Sequence, residues 1–188
     1  MIITSDSSRF PTLVAQAIWL FSADTQIVPD GDETKIDYKF LFQTFLRQIC
    51  EGLRDEAAAR RVRVVVADEG RLPAVLADPR GLRTVLANLL QNALTYSPDG
   101  GEVRLCAVDS TGGVRIAIED DGPGVDPAEI DRLMRPFEQG ENALTRQTEG
   151  AGLGLPIVAL LCRAMGGAFR LVADPGKGLR AEVLLPSP

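Results

Sequence analysis

Apolar positions along the chain recur at two spacings, and the alternation between them predicts the order of its elements. Phe40, Leu41, Phe45, Ile49 and Leu53 follow Asp37, a good N-cap, at helical intervals, which predicts a helix running to about Arg60. VRVVVA at 62–67 and AVLA at 74–77 read as strands. Asp78 then caps a second helix with Pro79 at its first turn. On that helix Leu82, Leu86, Leu89, Ala93 and Tyr96 share one face, while Asn88, Asn92 and Thr95 form a neighbouring stripe.

After the SPDGG turn, EVRLCAVD and GVRIAIED read as two paired strands joined by a short glycine-containing connection. A short helix near 127–135, an irregular stretch from Phe137 to about Gly150 and a strongly apolar helix, GLGLPIVALLCRAM, come next. The strands AFRLVA and RAEVLL, joined by DPGKG, complete the pattern. This alternation predicts an α/β fold of two layers, a mixed sheet with helices on one face. Upstream, residues 12–22 suit a short amphipathic helix, and SADTQIVPDGDET has the polar turn chemistry of a linker. The expected organisation is an N-terminal extension over 1–35 and a compact domain over 36–188.

Composition narrows the function. With 188 residues, 45% apolar and 24% charged, burial is not limiting and one globular domain is expected. A net charge of −6 argues against a nucleic-acid surface, which needs clustered Lys and Arg. TLVAQAIWLF is too short to span a bilayer and lacks the basic flank and cleavage site of a signal peptide. No direct membrane contact is expected, and a cytoplasmic setting follows, as a free protein or as the cytosolic part of a larger receptor. Cys50, Cys106 and Cys162 are widely spaced and odd in number, which reads as structural thiols. The chain contains no histidine.

Three segments carry candidate chemistry. In D120-D-G-P-G124 a carboxylate ends a strand beside two glycines. Glycine lets a flat ligand approach the backbone, and a carboxylate accepts from an exocyclic amine such as that of adenine; the same residues also suit a plain turn. G150-A-G-L-G-L155 opens a helix, where free N–H groups and the dipole favour an anion, although a helix start needs no ligand. It lacks the G-K-[ST] of a Walker loop. Asn88 and Asn92 could place an amide oxygen on Mg2+ with an orienting neighbour, or merely hydrogen-bond nearby backbone.

Taken together and in order, these segments resemble the Bergerat-fold ATP-binding domain of sensor histidine kinases, a group that also includes type II topoisomerases and one chaperone class. DPRGLRTVLANLLQNALTYSP resembles the N box, DDGPGV the first glycine box, RPFEQG the F box, GAGLGL the second glycine box and DPGKG the third. The resemblance covers roughly Ile36 to Pro186. It implies a two-layer α/β sandwich with a mixed, mostly antiparallel sheet. It further implies that Asn92 coordinates nucleotide-bound Mg2+, that Asn88 supports the phosphates or metal, and that Asp120 binds the adenine amine with Gly122 and Gly124 lining the base. The resemblance also implies that Gly150, Gly152 and Gly154 hinge a lid spanning 137–152 over the triphosphate, with Arg146, ahead of Arg135, as its candidate cation. Tyr96, Val125, Phe137, Leu153 and Leu155 are implied as further nucleotide contacts.

The chain departs from the pattern at four places. Thr95 stands where a cation is usual, Met134 where a Phe is common, Met165 where His is often seen, and Leu179 where Thr or Ser is frequent. The resemblance implies Mg-ATP binding and transfer of the γ-phosphoryl group to a histidine on a separate dimerisation domain, with a response regulator as the further partner. The alternative is an ATP-binding or interaction module without kinase activity. ATP hydrolysis fits poorly, because the hydrolytic relatives place a glutamate base where this chain has Asn88, and an amide is a poor proton acceptor.

Overall fold

A computed structural model of the chain describes residues 28–30, 33–35, 38–67, 75, 77–137, 152–173 and 176–187. Two short strands, β1 (Val28–Asp30) and β2 (Glu33–Lys35), form an antiparallel pair. Val28–Asp30 and Glu33–Lys35, within or beside the stretch expected as linker, are therefore strand. There follow α1 (Tyr38–Gly52), α2 (Arg54–Ala59), β3 (Arg63–Ala67) and α3 (Pro79–Tyr96). The hairpin β4 (Glu102–Ser110) and β5 (Gly113–Asp120) leads through a 3-10 turn, Pro127–Glu129, into α4 (Ile130–Leu133). α5 (Gly154–Ala164), β6 (Ala168–Ala173) and β7 (Leu179–Pro186) complete the order.

The main sheet has five strands in the order β3-β4-β5-β7-β6. β3 runs parallel to β4, and every other pairing is antiparallel. α3 is the crossover between the parallel pair, so the helix carrying both asparagines must lie across the sheet. Strand alternation supplies the second layer. Val103, Leu105, Val114, Ile116, Ile118, Val183 and Leu185 point inward and join Leu86, Leu90, Leu94 and Val158 in one buried core. On the opposite face, Glu182 is only 5% exposed but is held between Arg170 and Arg180. That pairing offsets the cost of burying its charge. The mixed, mostly antiparallel two-layer architecture agrees with the expectation.

Local chemistry sets the ends of α3. Asp78 has extended φ/ψ and accepts a hydrogen bond from the Gly81 N–H at 2.7 Å, and Pro79 sits at the first turn where no N–H is needed. At the other end Ser97 bonds the Ala93 carbonyl through both its N–H (3.0 Å) and its Oγ (2.8 Å), and Pro98 stops the helix. The buried face of α3 is wider than the expected stripe, since Val85, Leu90 and Leu94 are buried as well. The cause is that α3 is covered by the sheet on one side and by α5 on another.

Two expectations are corrected. The first helix does not run unbroken to Arg60: α1 ends at Gly52, Leu53 takes a non-helical conformation, and α2 restarts at Arg54. Glycine in a helix interior forfeits about 1 kcal/mol relative to alanine, which makes this the weakest point of the run. The run at 74–77 does not form a strand where it is described. Val75 and Ala77 lie outside the sheet and instead pack, partly buried, against the core. The expected helix over 12–22 lies outside the described residues. Cys50, Cys106 and Cys162 form no disulfide. Burial pushes the Cys162 thiol up to about 11, which leaves it protonated and inert.

Candidate nucleotide site

Both ends of the candidate site are built against α3. At its C-terminal end the loop after β5 turns directly under the last residue of the helix. A Cβ at Gly122 would lie 2.6 Å from Asp120 Oδ1 and 2.8 Å from the Tyr96 carbonyl oxygen, so no side chain fits between them. Gly124 takes a φ of +69°, a left-handed conformation that glycine adopts without strain. Both glycines are buried. The result is a cradle of bare backbone with a carboxylate beside it.

Asp120 is oriented from two directions. Its Oδ1 accepts the N–H of Gly122 at 2.9 Å and of Leu179, across the sheet, at 3.2 Å. Burial pushes its carboxyl above the ordinary aspartate range and the neighbouring Asp121 charge adds to the rise, while the two N–H donors pull against it. With Oδ1 engaged twice, Oδ2 is the oxygen that keeps the greater acceptor capacity.

At the other end the start of α5 faces the asparagine stripe. A Cβ at Gly154 would lie 3.3 Å from Asn88 Oδ1 and 3.8 Å from Asn92 Nδ2. Asn88 spends its amide nitrogen on the Thr84 carbonyl at 2.8 Å, one turn back, and this turns its oxygen outward towards α5. No side chain caps α5, because Leu153 occupies the N-cap position. Its first N–H groups and the positive end of its dipole are thus aimed at the space beside the amides, a setting suited to an anion. Asn88 precedes Tyr96 by two helical turns, so the two ends of the site are about 12 Å apart along the axis of α3.

Among the residues named from the sequence, Asn88, Asn92, Tyr96, Asp120, Gly122, Gly124 and Gly154 thus come together along one helix. Val125 and Leu153 are half-buried beside them in sequence, and Leu155 packs against the core. The Phe137 ring is 77% exposed and is not brought to the other residues. Its backbone N–H instead donates to the Gly152 carbonyl at 3.1 Å, and both residues have positive φ, so the two ends of the expected lid meet. Gly150 and Arg146 lie outside the described residues. Sequence reasoning missed the part played by Gly178 and Leu179, which act through backbone atoms; the DPGKG motif was the available signal. No group of three or more His, Cys, Asp or Glu able to hold a metal occurs among the described residues, and no helix there is long and apolar enough to cross a membrane.

Comparisons with known proteins point the same way. Residues 77–188 match the family described as histidine kinase-, DNA gyrase B-, and HSP90-like ATPase. The chain is 31% identical over 139 residues to the cell-division control histidine kinase PdhS of Brucella canis, which covers 68% of this chain and 13% of that protein. It is 34% identical over 137 residues to the non-motile and phage-resistance protein of Caulobacter vibrioides, covering 71% of this chain and 16% of that one. The chain therefore spans less than a fifth of these relatives. Among solved structures, full-length ShkA in complex with AMPPNP is similar with a TM-score of 0.68 and 29% identity, covering 93% of this chain and 35% of that one. The mycobacterial sensor histidine kinase MprB is similar with a TM-score of 0.64 and 27% identity, covering 78% of this chain and 95% of that one.

Proposed function

The chain belongs to the family of histidine kinase-, DNA gyrase B- and HSP90-like ATPases, as a catalytic, ATP-binding domain of the sensor histidine kinase type, and on that premise we propose that it binds Mg-ATP and donates the γ-phosphoryl group to a histidine on a dimerisation domain. The observation that carries the reading is the close approach of Gly154 to Asn88 and Asn92, near enough that a Cβ would touch both amides, which brings an uncapped helix N-terminus beside them on the same helix that borders the Asp120 cradle. That ShkA was solved with AMPPNP supports a nucleotide at the equivalent place.

The residues present fit ATP and Mg2+. Asp120 Oδ2 accepts from the adenine amine, and Gly122 and Gly124 let the base approach the backbone. Asn92, with Asn88 beside it, would offer an amide oxygen to Mg2+, a cation that takes oxygen ligands. Bound there, Mg2+ supplies neutralisation of phosphate charge. The N–H groups of α5 hold the phosphates in place, and phosphoryl transfer needs positioning and charge stabilisation more than covalent help. The acceptor lies outside these 188 residues, which contain no histidine. In a cell this places the domain in two-component signalling, with a response regulator receiving the phosphoryl group next.

The test is incubation with radiolabelled Mg-ATP and a histidine-bearing dimerisation domain from a similar kinase. Acid-labile label on that partner is the expected result, and label that never leaves the nucleotide with several such partners refutes transfer. A second reading is favoured by one observation: Thr95, half-buried on the asparagine stripe, brings no charge to the phosphates. Calorimetric binding of Mg-ATP without transfer to any partner is its signature.

A further inference from the structure

The start of β7 reaches Asp120 from a part of the chain far removed in sequence. Leu179 donates its N–H to Asp120 Oδ1 across 59 positions. Gly178, buried and with a φ of +86°, lies so close that a Cβ would be 1.8 Å from the Asp120 carbonyl oxygen and 3.4 Å from Oδ1. The backbone of this turn thus packs on both the main chain and the side chain of the carboxylate residue. Gly176, two residues earlier in the same turn, has nearly the same conformation, with φ +80°, yet has nothing within 4 Å of a built Cβ. One glycine is required by contact and the other by conformation alone.

We infer that Gly178 and Leu179 are positioning residues for base selection: they hold the Asp120 carboxylate in the one orientation that favours a purine with a 6-amino group over one with a 6-oxo group. The inference rests on the proposed reading of Asp120 as the base-reading group. Gly122 and Leu179 both donate to Oδ1, from the loop and from the strand, so the carboxylate is pinned between two donors on separate elements. Removing the strand donor frees it to rotate about the remaining bond. A 6-oxo purine gains nothing from Oδ2 in either case, because both are acceptors.

Calorimetry of the wild type with Mg-ATP and with Mg-ITP, which carries a 6-oxo group, comes first. No preference for ATP there overturns the reading of Asp120 and this inference with it. Given a preference, Gly178→Ala and Leu179→Pro are expected to reduce the ATP-to-ITP affinity ratio about tenfold, the scale of one hydrogen bond to a charged group. Gly112→Ala, in the exposed β4–β5 turn with φ +88° and nothing within 4 Å of a built Cβ, is expected to keep the wild-type ratio while losing stability, because it strains a turn at the far end of β5 from Asp120. Proline is tolerated at the first residue of a strand, so Leu179→Pro removes the donor; it also removes a side chain packed against the core, so its effect is read as the affinity ratio of the folded protein and not as stability. A folded Gly178→Ala or Leu179→Pro protein with the wild-type ratio overturns the inference, and so does loss of selectivity in Gly112→Ala. In the wild type itself, the Leu179 amide resonance is expected to shift on addition of ATP and much less with ITP. Equal shifts overturn the inference whatever the variants do.

Discussion

The two ends of the candidate site are built on different principles. At the Asp120 end the walls are backbone: Gly122 and Gly178 admit no Cβ, and the one side chain that matters is fixed by two N–H groups. At the asparagine end the walls are side chains on one helix facing the N-terminus of another, and Asn88 and Asn92 are only half-buried. The first arrangement is rigid and punishes any added atom. The second tolerates changes of shape but depends on the chemical identity of two amides. A base, flat and neutral, is best sorted by shape and one hydrogen bond, whereas phosphates need charge and donors more than close fit.

Substitutions can separate these principles. The largest effect is expected from Asn92→Ala, which should lower phosphoryl transfer about a hundredfold or more, the scale of losing one well-placed electrostatic group, while the thermal unfolding of the free protein barely moves. Loss of stability equal to the loss of activity would erase the contrast between the two ends. Gly122→Ala should do the reverse. Its methyl group meets Asp120 and the Tyr96 carbonyl, so urea unfolding should show destabilisation of about 1–3 kcal/mol together with lost ATP binding.

Asp120→Asn refines the point, because it keeps Oδ1 for the two N–H donors and removes only the charge and the second acceptor. ATP affinity by calorimetry should fall about tenfold. Stability should move the other way. Burial raises the carboxyl pKa in the folded protein, so the native state holds this proton to a higher pH than the unfolded chain does. The stabilisation is complete below the unfolded pKa and is lost as pH rises through the folded one. Asparagine has no proton to lose, so the variant should melt above wild type at about pH 8, with the gap closing towards about pH 4. The smallest effect is expected from Asp78→Ala, which removes the cap on α3 at about 1 kcal/mol and leaves base selectivity untouched, as urea unfolding and the ATP-to-ITP ratio would show.

Features decided by neighbours in sequence were legible before the fold was seen. Asp78-Pro79 announced the start of α3, the SPDGG stretch its end, and strand alternation gave the β4–β5 hairpin and β6 and β7 within a residue or so. The asparagine stripe was also legible, since i, i+4 spacing puts both amides on one side of any helix. Features decided by tertiary contact were not. Val75 and Ala77 are apolar enough for a strand, but no strand of the sheet pairs with them, and packing leaves them partly buried instead. Leu90 and Leu94 fell off the expected face because α5 supplies a second surface that a single helical stripe does not foresee. Gly178 looked like turn punctuation, and only the distance to Asp120 distinguishes it from Gly176. Phe137 looked like a ligand contact because its motif did, yet its ring is exposed and its backbone does the joining.

The place of β7 has a consequence for how the molecule comes into being. It follows β6 in sequence but lies between β5 and β6 in the sheet, so a strand made after its four sheet-mates must insert into the middle rather than add to an edge. Long-range insertion of this kind closes a large loop before it yields contacts and is intrinsically slow. The same strand carries the Leu179 donor. On a ribosome delivering residues in order, α3 and the β4–β5 hairpin can take shape early, but a chain released before residue 179 would carry Asp120 with one of its two anchors missing. On the proposed reading, nucleotide sorting therefore requires that residue 179 has been made, and products truncated before it should discriminate ATP from ITP poorly.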